Sequence, residues 1–61
     1  MQNMSEKELT AVQEQLEQEQ NLVKKYKLYA QQTTDSQLKT KCEHIATQHQ
    51  RHFDTLAGNL K

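Results

Sequence analysis

Three side chains in this sequence have the chemistry of metal ligands or proton carriers: Glu19, His49 and His52. His49 and His52 stand three residues apart, which on a helix puts both imidazoles on one face. A carboxylate and two imidazoles projecting inward from facing helices make a donor set for a transition metal, iron or zinc. The same residues admit a structural reading. Glu19 is then a buried register-setting carboxylate hydrogen-bonded to His49, with His52 at a wetter edge. Both readings stay open at this level.

Little else in the chain carries chemistry. Cys42 is the single cysteine, so it has no internal disulfide partner, and it reads as a small buried hydrophobe. No nucleophile stands with a base and an orienting group, and there is no glycine-rich phosphate loop and no Cys-x-x-Cys pair. Hydrolase, nucleotide-binding and zinc-finger readings are unsupported, and the chain reads more as a non-enzyme than an enzyme. Eight basic and eight acidic side chains cancel, which argues against nucleic acid and anionic lipid as partners. Lys24, Lys25 and Lys27, like Lys39 and Lys41, read as solvated faces, and His44 as an outer-face residue. No leader, lipidation signal or long apolar run is evident, so the expected location is the cytoplasm.

The elements that must position Glu19 and the histidines are helices. The composition has one Gly, no Pro and many Gln, Glu and Lys, which favours long helices over strands. Ser5 with Glu8 forms a capping box, and from there Leu9, Val12, Leu16, Glu19, Val23, Tyr26 and Ala30 recur at alternating spacings of three and four. Thr33, Thr34, Asp35 and Ser36 compete with helical bonding and mark a turn; Thr34 with Gln37 reads as a second capping box. A second stripe follows through Leu38, Cys42, Ile45, His49, His52 and Leu56, with Gly58 placed to end it. The expectation is one all-α hairpin over 1–61, with helices over about 6–32 and 36–58 and a turn at 33–35.

The two stripes register. Ala30 with Leu38, Tyr26 with Cys42, Val23 with Ile45, Glu19 with His49, Leu16 with His52 and Val12 with Leu56 pair level by level about residue 34. An antiparallel hairpin is therefore expected. Tyr26 stands two steps along from Glu19 as a donor toward it. Leu22, Leu28, Tyr29, Ala46 and Phe53 widen each apolar face beyond what one hairpin covers. A homodimer forming a four-helix bundle is the simplest completion.

Two resemblances bear on this reading. Glu19, Tyr26 and Ala30, spaced as Glu-x-x-x-x-x-x-Tyr-x-x-x-Ala, resemble the first helix of ferritin-like proteins such as rubrerythrin, where that Glu binds iron. His49-Gln-Arg-His52-Phe53 is similar to the second, except that His49 stands where the family has Glu. This replacement removes the anionic bridging charge a di-iron centre uses. Most of the chain after Ser5 also resembles small ferritin-like proteins of the spore coat protein F type in Gram-positive spore formers. The matching residues include Gln18-Glu19-Gln20, Lys24-Lys25-Tyr26-Lys27, Tyr29-Ala30-Gln31-Gln32, Ile45-Ala46 and His52-Phe53-Asp54-Thr55-Leu56. The resemblance implies a non-catalytic ferritin-like half-bundle that dimerises, made in a sporulating cell and placed in the spore coat among other coat proteins. The alternative it leaves is a metal-binding ferritin-like protein using Glu19, His49 and His52.

Overall fold

The computed structural model describes residues 4–60. Two helices, α1 (Glu6–Gln32) and α2 (Ser36–Gly58), pack antiparallel as a hairpin about 46 Å long. The chain is all-helical among the described residues.

Helix α1 begins at the capping box. The Glu8 amide donates to Ser5 Oγ and the Ser5 amide donates to Glu8 Oε1, each at 3.1 Å. Two of the unpaired first-turn amides are thereby satisfied. The helix ends where Thr33 turns to extended backbone, its N–H donating to Tyr29 O at 3.0 Å.

The cap of α2 is Asp35, not Thr34 as its spacing from Gln37 predicts. Asp35 Oδ1 accepts from the Gln37 and Leu38 amides at 2.9 and 3.2 Å, and the Asp35 amide donates to Thr33 Oγ1 at 3.1 Å. A carboxylate wins over a hydroxyl here because it accepts two amide hydrogens and carries negative charge at the positive end of the helix dipole. The far end of α2 tightens rather than reversing hand. The Asn59 and Leu60 amides donate to Leu56 O and Ala57 O, each at 3.2 Å, and Gly58 keeps a negative φ.

The core is narrow. Among the described residues the buried apolar side chains are Val23, Ala30, Cys42 and Ala46, and no large side chain is fully enclosed. Two stripe positions depart from expectation: Leu9 is 39% exposed and Leu38 48%, whereas Ala46, expected beside the seam, is only 3% exposed. A straight helix turns every 3.6 residues, so a strict three-four stripe drifts by about 20° per heptad around it. On α2 the buried residues are Cys42 and Ala46, with His49 half-buried and His52 exposed on the flank; Leu38, in the first turn of the helix, is exposed as well. No helix among the described residues is long and apolar enough to cross a membrane.

Candidate functional site

Glu19 is the central residue of α1 and the one buried charged side chain among the described residues, 5% exposed. The periodicity that makes α1 amphipathic places it on the inner face, so its carboxylate needs partners from across the hairpin. His49 of α2 supplies one: its Nδ1 lies 2.6 Å from Glu19 Oε1. A carboxylate only accepts, so the shared hydrogen sits on His49 Nδ1 and Nε2 is the ring's free nitrogen. From one turn before Glu19 on α1, Gln15 Nε2 donates to Oε2 at 3.0 Å. His52 Nδ1 approaches the same oxygen at 3.6 Å, an electrostatic neighbour too distant to hydrogen-bond, and its side chain is two-thirds exposed.

These contacts set the charge state. The hydrogen bond from His49 holds the Glu19 carboxyl below the usual carboxylate range. Desolvation opposes it, and the Gln15 bond and the nearby imidazoles add to the lowering. No buried side-chain nitrogen or oxygen among the described residues lacks a partner. Both carboxylate oxygens of Glu19 thus have a hydrogen-bond partner.

The rings form a row on the same side. His49 stacks on Tyr26, with centroids 6.3 Å apart and planes 16° from parallel, and meets His52 edge-on at 6.1 Å. Tyr26 meets Tyr29 edge-on at 5.8 Å, with Lys25 Nζ 5.8 Å from both tyrosine centroids. Tyr26 thus braces the His49 ring by stacking, and no hydrogen bond joins it to Glu19; the expected donor role passes to Gln15. The clue to Gln15 was its i, i+4 spacing to Glu19, hidden in a run of alternating Gln and Glu. His44 is exposed and stands outside this cluster.

Glu19, His49 and His52 each offer a ligand atom, all within 4.8 Å of one another. The donor set suits a transition metal. Two ligands on one ion at bond lengths near 2.1 Å sit about 3.4 Å apart in tetrahedral geometry. The 2.6 Å Glu19–His49 contact is therefore a hydrogen bond that must open if both atoms are to bind one ion. The other route keeps it: His49 offers Nε2 while Glu19 orients the ring from behind, as carboxylates do for many metal-bound histidines.

The fold and this layer together define an antiparallel helical hairpin with one buried carboxylate–imidazole level. Comparison with family models, curated proteins and solved structures finds no match to this chain.

Proposed function

We propose that this chain is a structural, assembly-type protein: a half-bundle that self-associates through its uncovered apolar surface into a four-helix bundle, with no catalysis. The observation that carries this reading is the mismatch between apolar side chains and what the hairpin covers. The buried apolar set among the described residues is one valine, one cysteine and two alanines, while Leu9, Leu28, Tyr29 and Leu38 stand 39–49% exposed. A two-helix chain of 61 residues lies where single cores are marginal and association is a common remedy. The Glu19–His49 bond acts in this reading as the register pin, because a one-turn slip would strand a buried carboxylate. The resemblance to the spore coat protein F type supplies the setting: a sporulating cell, the spore coat, and other coat proteins as further partners.

Solution mass, with helicity measured in the presence of a chelator, tests the reading. A dimer whose helix signal is unchanged by chelator is expected. A folded monomer, or helicity that vanishes with metal removal, would sink it.

The convergence of Glu19, His49 and His52 within 4.8 Å supports a second reading, a metal-binding protein of the ferritin-like kind. Elemental analysis of native protein separates the two. Bound iron or zinc in stoichiometric amount, lost in Glu19→Ala and His52→Ala with the fold retained, decides for metal.

A further inference from the structure

The hairpin's charges are sorted along its length. Residues 6–20, at the end where the termini lie, carry Glu6, Glu8, Glu14, Glu17 and the buried Glu19 against Lys7 alone, and the facing part of α2 adds Arg51 and Asp54, which cancel. Residues 21–47, leading into and out of the turn, carry Lys24, Lys25, Lys27, Lys39 and Lys41 against Asp35 and Glu43. All of these except Glu19 are exposed. At the turn end both helices are basic, so folding the hairpin sets like charges side by side instead of pairing them. The hairpin is 46 Å long, several times the screening length of about 8 Å at physiological salt. The acidic end therefore does not neutralise the basic end within one molecule, although the formal net charge is zero.

A groove between the helices runs from the basic half past the middle of the hairpin to Arg51. Its floor is Ala30 and Ala46, and Lys27, Lys39 and Arg51 stand around it with Glu43 as the one carboxylate. The small alanine side chains at its floor let another helix approach closely, and the cations beside them favour a helix with acidic flanks. Residues 6–17 of a second copy meet that description.

Resting on the self-association proposed above, we infer that two copies pair reversed end for end, with their turns at opposite ends of the bundle. This arrangement lays Glu6, Glu8, Glu14 and Glu17 of each copy along Lys24, Lys25, Lys27, Lys39 and Lys41 of the other. A dimer with both turns at one end stacks basic half on basic half and acidic half on acidic half. Apolar burial drives association in either case; the charges choose between the two topologies. Because Glu19 is central in α1, the reversed pairing also sets the two buried carboxylate layers at the same height, at the middle of the bundle.

The test uses the unaltered chain. Unlabelled and 15N-labelled protein are mixed, re-equilibrated and treated with a zero-length carbodiimide cross-linker, and links between one labelled and one unlabelled chain are mapped by mass spectrometry. Mass in solution is measured alongside. A dimer is expected whose interchain links join lysines of 24–41 to glutamates of 6–17 and weaken several-fold when the chains are pre-equilibrated in molar salt. A dimer linking same-end residues, Lys7 to Glu14 or Lys41 to Glu43, overturns the reversed topology and leaves self-association standing. So does a dimer with no opposite-end links. A monomeric mass without interchain links removes the self-association reading itself.

Discussion

Glu19 concentrates the electrostatics of this molecule in one side chain. In the unfolded chain its carboxyl titrates near 4.5; in the hairpin the His49 hydrogen bond above all keeps it ionised to lower pH. Between those two values the unfolded chain binds more protons, so stability rises with pH there. The contribution is fully present above pH 4.5 and is lost as pH falls through the folded value. Urea midpoints followed by circular dichroism from pH 7 to pH 3 should fall more steeply for the wild type than for Glu19→Gln. Glu8, also held low by its Ser5 bonds, is common to both proteins and cancels in the difference. Equal slopes would show that Glu19 is not coupled to folding. Pairwise replacement carries a different expectation. Glu19→Leu with His49→Leu removes both partners and should keep the helical fold, whereas His49→Leu alone leaves a buried carboxylate with only Gln15 and should be the less stable protein.

At the level of the helices, the ends make the sharpest predictions. Ser5→Ala removes one bond of a capping box and should cost about 1 kcal/mol. Asp35→Ala should cost about the same, because two amides at the start of α2 depend on it. Thr34→Ala should be nearly silent by comparison; if it proved as costly as Asp35→Ala, the assignment of the cap to Asp35 would be wrong. Gly58 keeps a right-handed backbone and has nothing within 4 Å of where a Cβ would stand. Gly58→Ala should therefore gain about 0.5–1 kcal/mol by reducing unfolded-state freedom, seen as a higher denaturant midpoint with an unchanged slope.

For the whole molecule, the core is thin, and the proposed self-association predicts how stability varies with concentration. If association supplies the missing burial, a tenfold dilution should lower the thermal midpoint by several degrees, since dimer stability follows mass action. A midpoint independent of concentration would mean that the hairpin stands alone on the side chains it buries. Val23, 6% exposed, is the largest of its buried apolar side chains. Val23→Ala should cost about 1–2 kcal/mol, a large share of what so small a core supplies, and should lower helicity measured by circular dichroism.

Much of this architecture is local and so was legible in the order of residues. The Ser5–Glu8 box, the run of Thr33, Thr34 and Asp35 that interrupts the helix, and the three-four spacing of apolar positions specify two helices and a reversal between them, because caps, turns and amphipathic faces depend on neighbours within a few residues. The facing of Glu19 and His49 was also legible, since antiparallel neighbours meet at positions equidistant from the turn. Finer features needed the packed helices. Only there does the 3.6-residue turn rotate Ala46 into the core and leave His52 outside. The choice of Asp35 over Thr34 depends on which group reaches two amides at once. Likewise the partners of the carboxylate, Gln15 rather than Tyr26, follow from side-chain directions. Sequence periodicity selects a helical face; the distances and angles between two such faces decide what happens on it.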